Sequence, residues 1–322
     1  MPALAALVIA LSLVSLLAGT VWLAPGAMLA ALADPRPDLA QTIILEIRLP
    51  RLILALLVGG VLGLSGAVLQ GLLRNPLAEP GLLGVSSGAS LGAVIALYYG
   101  FSASFALATP IFALVGASLT MIVALMLSRS GGTLSLILAG VAVSAIAAAG
   151  VSLALNLAPN PFAAYEIMSW LMGSLADRSW NHVLLAAPFI AVGTGLLLLT
   201  GRALDALTLG ELQAESLGID VSRARLLALA GTALGVGAAT AVTGAIGFVG
   251  LIAPHLVRPL VGHRPAATLI PSALAGAAIV LAADVATRLM PFGAEIKLGV
   301  FIAVIGAPFF LWLVLHVRRV AP

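Results

Sequence analysis

The chain contains no cysteine, which excludes thiol nucleophiles, disulfides and thiolate metal ligands. Charge is scarce as well: Asp, Glu, Lys and Arg make up 8% of the 322 residues, against 62% hydrophobic. A soluble domain of that length needs far more charge to cover its surface. Lysine occurs once, at Lys297, directly after Ile296. A phosphate-binding loop needs Gly-Lys followed by Ser or Thr, because the lysine reaches the phosphates while glycine amides cradle them. That motif is absent, so any ATP hydrolysis must come from a separate subunit. The histidines His182, His255, His263 and His316 are scattered, with no HExxH spacing. No acid, base and nucleophile form an enzyme constellation, and no metal site is indicated. The formal charge of +3, without a basic tail or an aromatic–basic patch, gives no reason to expect nucleic acid.

What the sequence does have is apolar length. Its mean hydropathy is +1.20, and apolar runs of about 20 residues, enough to cross a bilayer core, recur from end to end. The expectation is an all-α polytopic membrane protein forming a single domain over 1–322. Spans are read at Ala3–Leu23, Leu52–Leu73, Leu83–Tyr99, Ala108–Leu127, Leu134–Leu157, His182–Leu199, Ala224–Thr240, Gly244–Leu260, Thr268–Leu289 and Leu298–Val317. The first run lacks a basic leader, and Ala31–Asp34 is a poor cleavage cue, so it reads as a retained span. Ala163–Leu175 is too short to cross and reads as a half-helix at one mouth. Half-helices are tolerated in membranes where protein or a water-filled cavity covers them, which hints at a pathway. Met168 and Met172, at i,i+4 on this half-helix, either line that pathway or pack.

Ten spans put both termini on one side. With both cytoplasmic, nine of the 15 Arg and Lys residues face inside and six outside, a modest agreement with the positive-inside rule. Eleven spans score slightly better on charge, but the half-helix is too short to be the eleventh. Ala33 and Ser179 are then expected outside, and Ser130 and Ala214 inside. Arg48, Arg51 and Arg288 fall at the outer mouth, against the charge bias, which suits either lipid phosphate contact or a docking protein. The glycine rows Gly59/Gly63, Gly84/Gly88/Gly92 and Gly231/Gly235 read as close helix packing. A weak echo aligns Gly66–Gly84 with Gly244–Gly262 and suggests a repeat. The longest charged stretch between spans, Arg202–Arg225, interleaves leucines with Asp205, Glu211, Glu215 and Asp220. It suits two short helices broken near Gly210 and Gly218, docking a soluble partner, with a solvated connector as the alternative.

Several strings then stand out together. They are Arg48-Leu49-Pro50-Arg51, GAVLQGLLRNPLAEPGLL over Gly66–Leu83, GVSSGASLG over Gly84–Gly92 and GAIGFVGLIAPHLVRPLVG over Gly244–Gly262. Leu138–Val141, Trp170–Leu175, Leu209–Glu211, Ser216–Gly218 and Gly306–Phe310 complete the set. From about Arg48 to Arg319 the chain resembles the FecCD family of ABC importer permeases, which serve iron-siderophore, haem and cobalamin uptake. Pro291–Lys297 reads PFGAEIK where relatives more often carry Pro-Ala-Glu-Leu-Pro, which leaves the substrate more open.

The resemblance implies a homodimer of ten-span subunits in the bacterial inner membrane, with the pathway between them. It implies two ATPase subunits on the cytoplasmic face, which bind the ATP and Mg, and a periplasmic substrate-binding protein outside; the chain itself binds no cofactor. It makes 163–175 an outer gate helix beside the fifth span, and Asn75, Leu77 and Thr133 gate residues near the cytoplasm. Thr208–Gly218 become coupling helices, including Leu209, Gly210, Glu211, Leu212, Ser216 and Leu217. Arg48, Arg51 and Arg288 become contacts for acidic residues on the two lobes of the binding protein. The expected cargo is an iron complex, siderophore or haem, with cobalamin as the alternative. A secondary transporter is more remote, since Asp284 is the one ionisable candidate for coupling inside the membrane and stands four residues before Arg288, as a helical ion pair would.

Overall fold

The computed structural model describes residues 1–19, 22–26, 39–105, 107–128, 133–290 and 296–320, with the side chains of 133 and 316–320 outside that set. Among the described residues there are helices and connections but no strand. In chain order the helices are α1 (Pro2–Leu17), α2 (Leu49–Leu72), α3 (Val85–Tyr98), α4 (Ala108–Leu127), α5 (Thr133–Asn156), α6 (Pro161–Leu171) and α7 (Trp180–Leu198). They continue with α8 (Gly201–Leu207), α9 (Glu211–Ser216), α10 (Val221–Thr243), α11 (Val249–Val257), α12 (Pro265–Leu289) and α13 (Leu298–Val320). Among the described residues, seven helices are long and apolar enough to cross a membrane, and three shorter apolar ones, Pro2–Leu17, Val85–Tyr98 and Val249–Val261, lie where three more spans were expected, in rough agreement with ten.

Several boundaries differ from the sequence reading, each for a local reason. The first helix ends at Leu17, six residues before Leu23, and an extended Ala18 follows. The second does not begin at Leu52: a π-helical turn, Ile43–Arg48, runs into α2 and makes a continuous helical stretch from Leu39 to Leu72. The eighth begins at Val249 rather than Gly244, because Gly244 at φ +73° ends α10 and Phe248 at φ +66° starts α11. The half-helix occupies Pro161–Leu171, not 163–175. Asn160 caps its start, its side chain accepting from the Ala163 N–H at 2.9 Å, with Pro161 as first residue. The proposed echo fails in register, since Gly66–Leu72 is the end of a helix while Gly244–Phe248 is a connection.

The bundle is built around α2, whose residues Leu54, Ala55, Val58, Val61, Leu64 and Leu69 are buried in the main core. The glycine rows do what small faces do in lipid, where no hydrophobic force drives helices together. Gly59 and Gly63 lie against the backbone of Gly276 and Ser272 in α12, and Gly66 against Gly250 in α11. Gly88 and Gly92 face Gly116 and Phe112 in α4, and Gly193 of α7 meets Gly231 and Gly235 in α10. A hydroxyl pair, Ser65 and Thr232 at 2.9 Å, ties α2 to α10 inside the core. By contrast, α5 leaves Leu134, Leu138, Val141, Ile146 and Leu153 exposed.

Candidate functional site

At the mouth where α1 ends, three distant arginines come together. The last-turn carbonyls of a helix have no intrahelical donors. Arg48 donates to the carbonyls of Leu16 and Leu17 at 2.6 and 2.8 Å. Arg288 donates to the carbonyls of Ser15 and Ala18, both at 2.9 Å, and to the Ser15 hydroxyl at 2.7 Å. Two guanidinium groups thus cap α1 from other helices and oppose the negative end of its dipole. Asp284, fully buried, pairs with Arg51 at 2.8 Å and with Arg288 at 2.9 Å. The expected i,i+4 pair is therefore present, with a third member added. Charge against the topological bias suits lipid or protein contacts for these arginines; the structure gives all three intramolecular partners, and Arg48 is only 6% exposed. For Arg48 and Arg288 the early end of α1 is the reason, because it turns unpaired carbonyls toward them; Arg51 is held by Asp284.

Beside this mouth, α6 buries Ile167 against Val94 and Leu97 of α3, with Val151, Ala154 and Leu155 of α5 around them. Its neighbours thus include the third span as well as the fifth. The C-terminal end of α6 is pinned: Ser174 N–H donates to the Thr243 carbonyl at 2.7 Å, and Gly299 N–H to the Gly173 carbonyl at 3.2 Å. Gly173, at φ +68°, sits where a Cβ would strike the Ala245 carbonyl, so both the turn and the contact require glycine. Met168 and Met172 lie on the exposed side of the helix.

At the other end of the bundle, the loop after α2 folds on itself. The Asn75 side chain accepts from the Leu77 N–H at 2.9 Å, and the Asn75 N–H donates to the Gln70 carbonyl at 3.2 Å. Thr133 begins α5, and its side chain lies outside the described residues. The charged stretch forms two short helices as expected. Gly210, at φ +113°, separates α8 from α9, and Gly218, at φ +81°, follows α9. Leu204 and Leu207 of α8 are buried, as is Ala214 of α9, while Leu209, Leu212 and Leu217 are 61%, 75% and 64% exposed. Glu211 pairs with Arg225 at 3.3 Å.

Two features were missed from sequence. Glu79, in the loop between α2 and α3, accepts a hydrogen bond from the Phe248 N–H at the start of α11. It lines a cavity of about 110 Å³ with Leu62, Ser86 and Gly250. A carboxylate thus lies inside the bundle in addition to Asp284; the Pro80–Gly81 break beside it was the available signal. The second is Gln70, whose side-chain carbonyl accepts from Arg258 at 2.6 Å. Its amide reaches the Gly250 and Leu251 carbonyls at 3.3 and 3.5 Å. Among the described residues, no three His, Asp or Glu side chains come together as metal ligands would.

Comparison with known proteins places this geometry. The model of the FecCD transport family matches residues 7–316. The chain is 40% identical to the hemin transport system permease protein HmuU of Yersinia pestis, over 85% of this chain and 84% of that one. It is 39% identical to the vitamin B12 import system permease protein BtuC of Salmonella paratyphi A, over 98% and 94%. An uncharacterized ABC transporter permease protein of Bacillus subtilis, YvrB, is 40% identical over 86% and 80%. Among solved structures, a metal-chelate-type ABC transporter in an inward-facing conformation matches with a TM-score of 0.85 and 34% identity over 98% of both chains. These likenesses span nearly the whole chain, and it belongs to the FecCD transport family, as a non-catalytic membrane-spanning permease subunit of an ABC importer.

Proposed function

We propose that this permease translocates an iron complex, a siderophore or haem, across the bacterial inner membrane. The observation that carries the reading is the likeness to a metal-chelate-type transporter along 98% of both chains. A second reading, cobalamin, is favoured by the BtuC identity of 39% over 98% of this chain. On this proposal both termini are cytoplasmic, two copies form the pathway, two ATPase subunits sit on the face carrying α8 and α9, and a binding protein docks at the arginine mouth. Leu209, Leu212 and Leu217, all exposed on one short charged segment, support the ATPase seat. At the mouth, three arginines gather at one end of the bundle, and the planar guanidinium fork suits capture of acidic side chains. Asn75, Leu77 and Thr133 are assigned to the inner gate, and Met168 and Met172 to the outer one. The test is ligand-stimulated ATPase activity of the reconstituted importer with its binding protein, run across ferric siderophores, haem and cobalamin. Stimulation by an iron complex and not by cobalamin is expected; stimulation by cobalamin alone overturns the iron reading.

A further inference from the structure

A cavity of about 410 Å³ opens between the end of α2, the loop after it, the α8–α9 junction and the turn before α12. Its polar lining is Gln70, Arg74, Asn75, Thr208, Arg258, His263 and Thr268, and among the described residues no carboxylate lines it. Arg258 is held in place: its guanidinium donates to Gln70, and Gln70 is anchored to two carbonyls of α11. One donated bond leaves most of the five guanidinium donors available. Arg74 and His263 are exposed, and among the described residues no ion pair holds either side chain. The nearby carboxylate, Asp205 on α8, is already engaged by Arg264 at 3.2 Å and by the Ala266 N–H at 2.8 Å. The described lining is therefore cationic, with the neighbouring acid already partnered.

We propose that this cavity seats an acidic side chain of the ATPase subunit and joins the coupling helices to the inner gate loop. The proposal rests on the reading of α8 and α9 as the ATPase seat. Two observations select this occupant. The lining is complementary to a carboxylate, which a guanidinium fork holds in paired hydrogen bonds. The rim is continuous with the coupling surface: Thr208 lines the cavity, and the exposed Leu209 follows it directly. A partner resting on Leu209, Leu212 and Leu217 covers the mouth. Across the cavity stands Asn75, whose side chain shapes the gate loop. A carboxylate entering between Arg74 and Arg258 bears on that loop, so a partner that moves with its nucleotide state gains a handle on the gate through differential contact.

The experiment measures binding of the purified ATPase subunit to the permease in nanodiscs of zwitterionic lipid. Arg74 and His263 have φ of +48° and +60°. Arg74→Gly and His263→Gly therefore remove side chains without adding backbone strain. Arg258→Gln removes the fixed charge, and Leu212→Asp serves as the control for the coupling surface. Each of Arg74→Gly and Arg258→Gln is expected to weaken affinity at least about tenfold at low salt, with a smaller loss at high salt. A reversed pair, Arg74→Glu with one acidic residue of the ATPase changed to Arg, is expected to restore binding. If the cavity variants bind within about twofold of the unmodified protein while Leu212→Asp does not, the cavity proposal is overturned and the coupling reading stands. Loss in the cavity variants with normal binding by Leu212→Asp overturns the coupling surface and keeps the cavity. Normal binding by all overturns both. If the cavity variants lose only a gain conferred by added anionic lipid, a lipid headgroup occupies the cavity and the proposal falls.

Discussion

Asp284 has no exposed surface and holds two guanidinium groups, so its removal leaves Arg51 and Arg288 facing each other with their shared counterion gone. Breaking a buried pair from one side costs about 3–5 kcal/mol, much more than an exposed pair. Asp284→Ala is thus expected to lower the unfolding midpoint in detergent sharply, whereas Asp205→Ala, whose partner Arg264 is 74% exposed, is expected to change it little through that ion pair. Thermal unfolding of the two variants side by side checks this. The same network changes how the arginines proposed to dock a binding protein are to be tested. Charge reversal at Arg48 would also uncap α1, because Arg48 serves two of its carbonyls. Arg51 is the more informative position, since its guanidinium donates to Asp284 at 2.8 Å. Arg51→Lys retains charge while losing the fork. It is expected to keep the fold and to weaken binding-protein affinity at low salt; unchanged affinity removes Arg51 from the docking surface. Sequence brought these arginines to notice through their charge against the topological bias, but not their carbonyl partners, which depend on where α1 stops.

The segment proposed for coupling, α8 and α9, shows what an element adds to its residues. Its leucines divide by burial: those of α8 pack inward, while Leu209 and the two on α9 and just after it stay out. Leu212→Asp is therefore expected to leave the bundle intact and abolish ATP-driven uptake, measured beside a size-exclusion profile of the folded protein. Glu211→Arg is a less clean probe, because Glu211 ties α9 to Arg225 on α10 and its reversal disturbs that tether as well. Gly210 fixes the angle between the two helices. At φ +113°, with the Gln213 side chain where a Cβ would go, Gly210→Ala is strained whatever it touches. A loss of about 1–3 kcal/mol is expected, mostly as misplacement of α9. Uptake is expected to fall more than the unfolding midpoint, and equal falls would assign Gly210 a purely structural role. The two-helix reading and its glycine breaks were visible in sequence because leucine spacing and glycine are local signals. The inward or outward assignment was not, since it depends on α2 and α12.

For the molecule as a whole, orientation is the property that labelling reads most directly. A native chain without cysteine makes single-thiol labelling clean. Ala33 and Ser130 lie outside the described residues, and Ala214 is fully buried, so a thiol there would be hidden. Glu215→Cys and Asp177→Cys, both at exposed positions, replace them. The first is expected to label from the cytoplasm and the second from the periplasm; the reverse pattern would invert the proposed topology. By itself the sequence determined the membrane class, ten apolar helices, a half-helix, glycine-lined contacts and the need for a separate ATPase. Those follow from composition, run length and local spacing, which water and lipid read directly. Only the tertiary structure decided where α1 and α11 begin and end, that Glu79 meets Phe248, that Arg51 and Arg288 hold Asp284 while Arg48 and Arg288 cap α1, and that Arg74, Arg258 and His263 line one cavity. Arg51 and Asp284 are separated by 233 residues and Gln70 and Arg258 by 188. Contacts at that separation arise when helices cross, and the crossing is set by backbone-to-backbone packing of glycines on different helices, which no window along the chain contains.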